Sequence, residues 1–546
     1  LRQESLHARS SCGKFIEGLM ALSLSVPVQN QSLSKDIETS PKKARAWVEA
    51  LPLTRTIESG RAVAAALTAL NRAKLPADDR VALAEIYRPI IYVILDELDA
   101  VYASATLPLP AKALEAFDLA HHLSIESAYP YKALILEKST KLLGFGNKRS
   151  LPLPIFRVLS LALSVMVQRY KTYYPIPAGL WQEVNNLYLY ADEQGLTNET
   201  PDDTSKSSIA DLYFEMLMLS LADPYRLMNR EVDRVLEILR QNRGHVELKL
   251  PAESINPQRA FIVALDVDAA PWPLAQGNKV AEGAIIRLIE PTTLVERLEQ
   301  KLKANLVAGS PNAAKSHATH DINDLVGRLC QLWGDPPKRQ FRRTRGDAGV
   351  ALCSGVKAIA HFSELATNET REAALEAKGD GSTLPVLNIP QDPPKSQFFG
   401  VEEWQVLNQS ANGLRLHRAS GGVVGITVGE AVGVRFVGGR SWNIGVVRWL
   451  TLLEGSALEF GMELISPAGY SVTLETTFGT VPRSIPAVLL AATHPGMPPD
   501  TVLTVTDTFS DLREFKLDDH GEALTVRAMT LIERTSKFDL FQFQQS

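Results

Sequence analysis

The sequence predicts a multidomain α+β protein: an irregular helical bundle, a small mixed segment, a small antiparallel β-barrel and a C-terminal β-rich module. Three observations carry this. At 546 residues the chain exceeds what one ordinary hydrophobic core buries, so three or four domains are expected. Between about 55 and 243 apolar residues recur at helical spacing, as in Val63, Ala66, Leu67 and Leu70. Further on the period becomes two: Val432, Val434 and Phe436 point away from Arg435, and Leu458, Phe460, Met462 and Leu464 alternate with Glu459, Gly461 and Glu463.

Taken in order, residues 1–50 are polar and aperiodic and are expected to be poorly ordered. Within them, 15–28 follows basic residues as a signal sequence would, but Glu17 interrupts it and no small-residue cleavage site follows. Residues 51–243 form the helical domain. Its first helix falls at 58–75. The second opens on Asp78-Asp79, carries Val81, Ile86, Ile90, Val93, Ile94, Leu98 and Val101, and should kink at Pro89. Further helices fall near 110–127, 154–171, 178–194, 205–221 and 229–242, without a fixed repeat period. Residues 244–335 read as a connecting region, with short strands at 245–250, 260–267 and 284–289 and helices at 294–306 and 321–333. Residues 336–466 hold the barrel, where Trp442, Ile444 and Val446 repeat the alternation between Gly-rich turns. Residues 467–546 continue with strands at 485–490, 502–505, 512–517, 524–533 and 538–543, enough for a second small barrel or sandwich.

Composition narrows the classes. With a net charge of −5 and a pI near 6.1, the chain lacks the basic surface of a general nucleic-acid binder. Cys12, Cys330 and Cys353 lack metal-ligand spacing and suit free thiols in a reducing cytoplasm. The best apolar run, 151–167, contains Arg157 and two prolines and is short for a bilayer, so no membrane span is expected. His121-His122 and His317-x-x-His320-Asp321 lack complete metal ligand sets. Asp266-Val267-Asp268 has a spacing used to hold metal–nucleotides, but no nucleotide fold surrounds it. Tyr170, Tyr173, Tyr174, Trp181, Tyr188 and Tyr190 suit a contact surface, though on helices such residues are more often core or groove-lining.

Two motifs flank the start of the barrel. Lys338-Arg339-Gln340-Phe341-Arg342-Arg343-Thr344-Arg345 contains the spacing Arg-x-x-x-Arg at Arg339 and Arg343. The run from Trp404 ends in Asn-x-Ser-x-x-Gly at Asn408, Ser410 and Gly413. An arginine fork grips phosphate in bidentate fashion and matches guanine O6 and N7. Asn408 and Ser410 add neutral donors and acceptors, and Gly413 permits close approach or positive φ.

In this order, ahead of alternating strands, the two motifs resemble those of the PilZ domain, the cyclic di-GMP receptor module. The resemblance covers about 336–466. It implies a six-stranded antiparallel barrel, with the arginines on a flexible segment ahead of it and the Asn/Ser turn on its surface. The implied ligand is cyclic di-GMP, held by Arg339, Arg342, Arg343, Arg345, Asn408, Ser410 and Gly413, with no cofactor and no metal. Binding would rearrange the flanking domains. The gap between the motifs is long for the family, and 363–400 reads as an insertion. The C-terminal module lacks Arg-x-x-x-Arg, so no second site of this kind is expected there. The helical domain is expected to meet a protein partner, in the cytoplasm.

No enzyme is expected. The chain has no P-loop, no Gly-x-Ser-x-Gly elbow and no Gly-Gly-Asp-Glu-Phe cyclase motif. Glu49-Ala50-Leu51 and Glu522-Ala523-Leu524 spell the tripeptide of cyclic di-GMP phosphodiesterases, without the surrounding carboxylates that two metals need. The alternative reading is an interaction scaffold with a degenerate PilZ-like barrel that binds no nucleotide. Two intact motifs favour the receptor.

Overall fold

The computed structural model describes residues 22–30, 38–140, 148–202, 204–228, 230–251, 255–276, 283–308, 317–334, 343–377, 399–419, 422, 424–453, 457–477, 483–491, 500–519 and 522–546. The first half is helical: α1 (Pro41–Glu49), α2 (Thr56–Arg72), α3 (Ala77–Tyr102), α4 (Ala111–Thr140), α5 (Pro152–Lys171), α6 (Leu180–Gln194), α7 (Ile209–Leu221) and α8 (Glu231–Gln241). Helix α1 falls in the stretch expected to be poorly ordered, and its Trp47 meets Tyr87 of α3 edge to face. Pro89 does not end α3, which continues past it to Tyr102. The start of α7 is fixed by a capping box: Ser208 Oγ accepts from Asp211 N at 3.0 Å and Asp211 Oδ2 accepts from Ser208 N at 2.9 Å.

The bundle has two cores. One joins α1–α4 through Val63, Leu67, Leu83, Ile94 and Phe117. The other is built around α5, the one described helix long and apolar enough to cross a bilayer, which here is packed at the centre of the bundle. Ion pairs on two buried cations tie the halves together. Arg157 of α5 donates to Glu85 at 3.0 Å and Asp202 at 2.7 Å, and Lys171 holds Asp99 at 2.8 Å and Asp233 at 2.7 Å. Burial opposes the Asp202 charge, but hydrogen bonds from Thr204 and Arg157 outweigh it and bring its pKa down to about 2.

The second core does not stop at residue 243. Strands β1 (Leu248–Lys249), β2 (Phe261–Ala264), β3 (Trp272–Pro273) and β4 (Ile286–Ile289) form one sheet in the order β1-β4-β2-β3, followed by α9 (Thr292–Ala308) and α10 (His317–Trp333). Phe261, Val263, Leu294, Leu325 and Trp333 all enter the core of α5–α8, and Trp333 Nε1 donates to the Met218 carbonyl at 3.2 Å. The connecting region is therefore packed onto the helical domain.

Next come β5 (Thr344–Arg345), β6 (Gly349–Ser354), α11 (Val356–Ala377), β7 (Glu402–Ser410), β8 (Gly413–Arg418), β9 (Ala431–Phe436), β10 (Asn443–Leu452) and β11 (Leu458–Ser466). Strands β7-β6-β9-β10-β11-β8 close on themselves through the β7–β8 pairing, all antiparallel. This is the six-stranded barrel that the PilZ resemblance implied. The alternating residues Val432, Val434, Leu458, Phe460 and Met462 fill its interior with Val406, Leu416 and Leu450.

The third alternating set behaves differently. Trp442, Ile444 and Val446 point out of this barrel, onto α11 and the C-terminal module. They are as buried as the interior set because a second barrel covers them. That barrel comprises β12 (Gly469–Thr476), β13 (Ser484–Leu490), β14 (Thr501–Val505), β15 (Glu514–Asp519), β16 (Glu522–Arg534) and β17 (Phe538–Gln545), closed in the order β12-β13-β14-β17-β16-β15. Its own core holds Val472, Val502, Phe515, Val526 and Phe541. Val488, Leu503, Phe538 and Leu540 face the middle barrel instead. Helix α11, which leads from β6 into the 363–400 stretch, is wedged into this joint through Val356, Ile359 and Ala360.

The bundle docks on the middle barrel as well. Leu107 and Ile426 exchange two backbone hydrogen bonds, at 3.5 and 3.2 Å, and Leu452 N donates to the Tyr173 carbonyl at 2.9 Å. The helical region is thus held to the barrel by more than the chain segment between Gly334 and Arg343.

Candidate functional site

The two motifs meet on the outside of the middle barrel. Antiparallel pairing of β5 with β7 sets Thr344 opposite Gln409 and Arg345 opposite Asn408. Thr344 Oγ1 donates to the Gln409 carbonyl at 3.4 Å, and Gly346 N to the Leu407 carbonyl at 3.1 Å. Arg343 and Arg345 are exposed at this rung. Arg339 and Arg342 lie outside the described residues. The end of the arginine motif is therefore a rung of sheet laid against the asparagine motif.

The second motif is a hairpin. Ser410 ends β7, Gly413 begins β8, and the two residues pair directly, with Ser410 Oγ donating to the Gly413 carbonyl at 3.4 Å. Gly413 has no positive φ. A Cβ there would sit 2.7 Å from the Met462 carbonyl oxygen, so glycine is needed where β8 presses against β11. Of the two readings of Gly413, the left-handed turn is corrected accordingly.

Register extends the site beyond the motifs. A bulge at Leu407 shifts β7 so that Asn408 faces Arg415 of β8; Arg415 faces Gly461 of β11, and Gly461 faces Trp449 of β10. Residues paired directly across strands share a face, so Arg345, Asn408, Arg415, Gly461 and Trp449 form one outward row. Five strands at the usual spacing make it about 19 Å wide. A Cβ on Gly461 would collide with the Trp449 indole, which lies across that glycine. The Arg415 guanidinium lies 5.7 Å from the Trp449 ring centre and donates from Nε to Glu459 Oε2 at 3.1 Å; Nη2 reaches the same oxygen.

Trp449 is oriented by a second bulge. Arg448 is the unpaired residue between Val447 and Trp449, and it turns to the C-terminal barrel. There it grips Glu533 through both terminal nitrogens, while Nε donates to Glu463 at 2.8 Å. Burial works against its charge, yet Glu533 and Glu463 raise its pKa above the ordinary guanidinium value. Arg415 and Trp449 were missed in the sequence because their neighbourhood depends on both bulges. The only linear hint was Gly461, set between Phe460 and Met462.

The remaining candidates are structural. Asp268 accepts from Gly179 N at 2.7 Å and Gln182 N at 3.1 Å, capping α6, and Asp266 accepts from Ile285 N at 3.1 Å. Arg169 Nη2 donates to His121 Nε2 at 2.8 Å, and burial together with that charge lowers the His121 pKa to about 4. The side chains of His317, His320 and Asp321 lie outside the described ones, as does Cys12. Burial raises the Cys330 and Cys353 thiols to about 11 and about 12. Among the described residues no group of three or more His, Cys, Asp or Glu is placed to hold a metal ion.

Comparison with known proteins matches three successive parts of the chain. Residues 42–253 match a family model described as the N-terminal domain of the cyclic-di-GMP receptor FimW. Residues 260–386 and 387–470 match its middle PilZ domain, and 470–546 its C-terminal beta-barrel domain. The middle match begins at 260, so it takes in the β1–β4 sheet from β2 onward as well as the barrel. The cyclic-di-GMP receptor FimW of Pseudomonas aeruginosa is 23% identical, over 96% of this chain and 94% of that protein.

Proposed function

Because the chain belongs to the family that these three domain models describe, with a PilZ domain at its middle, we propose that it is itself a cyclic di-GMP receptor whose ligand lies across the β5–β7–β8 surface. The observation that carries this reading is the pairing of Thr344–Arg345 with Asn408–Gln409, which brings the two motifs together on one exposed face. In this reading the forks of Arg339 and Arg343 hold phosphate and guanine, and Arg342 and Arg345 add positive charge nearby. Asn408 and Ser410 supply neutral contacts beside them. Gly413 keeps the hairpin seated on β11, which positions both.

Binding is proposed to act as a switch of limited travel. Ligand phosphates add counter-charge to the cluster of Arg342, Arg343 and Arg345 and tighten the β5 rung that already lies on the hairpin. From the row the change passes to its neighbours: Trp449 adjoins Arg448, which grips the C-terminal barrel, and Leu452 on the same strand bonds Tyr173 of the helical domain. Titration calorimetry with cyclic di-GMP is the direct test; saturable binding with a defined stoichiometry is expected, and no heat at high micromolar ligand overturns the reading. Hydrogen exchange tests the switch: ligand should slow exchange at 343–348 and 408–413 and alter it near Tyr173 and Glu533. Protection confined to 408–413 leaves a binding module without a switch.

A further inference from the structure

The row holds one arginine that lies in neither motif and is already oriented. We propose that Arg415 is a ligand-contacting residue that reads a guanine edge or a phosphate of the bound dinucleotide, and that Glu459 is its positioning residue. This rests on the reading of the barrel face as a cyclic di-GMP site, and it extends that site along β8 past Gly413 and onto the neighbouring β11.

The inference comes from the geometry of the fork. A guanidinium has two edges that can make paired hydrogen bonds: the side edge, Nε with Nη2, and the end edge, Nη1 with Nη2. Glu459 takes the side edge of Arg415, through Nε and Nη2 to a single carboxylate oxygen. The end edge is left for another acceptor pair, and the Arg415 side chain is 37% exposed while that of Glu459 is 13% exposed. The buried partner fixes and the exposed one presents. The guanidinium lies over the Trp449 ring, 5.7 Å from its centre, which further limits its rotation. Asn408 is directly across the strand pair, so a base held there lies within reach of both.

The chemistry selects the ligand. Guanine offers O6 and N7 as adjacent acceptors, which the end edge of an arginine matches; adenine offers N7 beside an N6 donor, which it does not. Phosphate presents two oxygens with similar spacing and tolerates either base. Comparing cyclic di-GMP with cyclic di-AMP separates these two contacts.

The test is calorimetry on the full chain with both dinucleotides. Arg415→Ala should weaken cyclic di-GMP binding about 10- to 100-fold. Arg415→Lys keeps the charge and an ion pair to Glu459 but loses the fork, and should weaken binding nearly as much; full rescue by lysine makes Arg415 structural and overturns the proposal. Glu459→Gln frees the guanidinium and should cost about 3- to 10-fold, with a thermal midpoint close to wild type. A base contact predicts that Arg415→Lys narrows the preference for cyclic di-GMP over cyclic di-AMP, and a phosphate contact that both affinities fall together. If wild type binds and Arg343→Ala weakens it while Arg415→Ala and Arg415→Lys do not, the proposal fails and the receptor reading stands. If wild type does not bind, both fall.

Discussion

The middle and C-terminal barrels each close six antiparallel strands, and each carries an arginine–glutamate pair across two neighbouring strands on its outside. In the middle barrel the pair is Arg415–Glu459, beside a glycine that lets Trp449 lie over the strand. In the C-terminal barrel it is Arg527–Glu514, with the arginine side chain 47% exposed and the aromatic residues Phe515 and Phe541 turned into the core. Shared architecture leaves function open; what separates the two is a missing side chain in one row and the rings it admits. The same contrast holds for the apolar outer faces. Trp442, Ile444 and Val446 are covered in one barrel, while Met529 and Ile532 stand at bulges of the other, exposed.

The contrast can be broken most severely at glycine. Gly413→Ala should cost about 3 kcal/mol of stability and abolish measurable ligand binding, because the atom in the way is a backbone oxygen that cannot move aside. The matching change in the other barrel, Gly469→Ala, meets side-chain atoms of Val488 and Ile444 that can shift, and should cost about 1 kcal/mol. Denaturant titration of both variants checks the difference; equal losses would mean that β8 and β11 are less closely pressed than they stand here.

Next in size are the motif arginines. Arg339→Ala or Arg343→Ala should each weaken cyclic di-GMP binding by about 2–3 kcal/mol, roughly 30- to 150-fold, with the fold intact. Unchanged affinity in both singles removes the assignment. Asn408→Ala and Ser410→Ala should cost about 1 kcal/mol each, since neutral hydrogen bonds contribute roughly half as much as charged ones. Losses as large as those of the arginines would make the hairpin the main grip. The smallest effect belongs to the other barrel: Arg527→Ala should leave ligand affinity unchanged and stability within about 0.5 kcal/mol. A drop in affinity there would mean that the exposed pair reaches the ligand after all.

Much of this was legible in the sequence, because period-two patterning and turn chemistry are local. Alternation alone put Val432 with Val434, and Leu458 with Phe460 and Met462, on one buried face of each strand, and that face is the barrel interior. The two motifs needed only spacing. Other features depend on pairs of strands. Alternation places Trp442, Ile444 and Val446 on one face but cannot say which side of a closed sheet that face is on, and here it is the outside. One extra residue at Leu407 and another at Arg448 reverse the parity of everything downstream, so the row from Arg345 to Trp449 emerges only from register. Asp268 looked like half of a metal motif because its true partner, the start of α6, lies almost ninety residues earlier.

Helix α11 and the apolar face it shares with both barrels have a thermodynamic consequence. Ile359, Ile444, Val488 and Phe538 pack into one cluster, so neither barrel can open without exposing the flank of the other. The two should melt together as a single cooperative unit, and a chain cut after 466 would present that flank to water. A ligand that binds only the folded form then stabilises both, by about 2.7 kcal/mol at a hundred times its dissociation constant. The relation runs in reverse too: truncating Leu503 or Phe538, neither of them in the row, lowers the folded population and with it receptor occupancy, though every proposed contact to the ligand is intact.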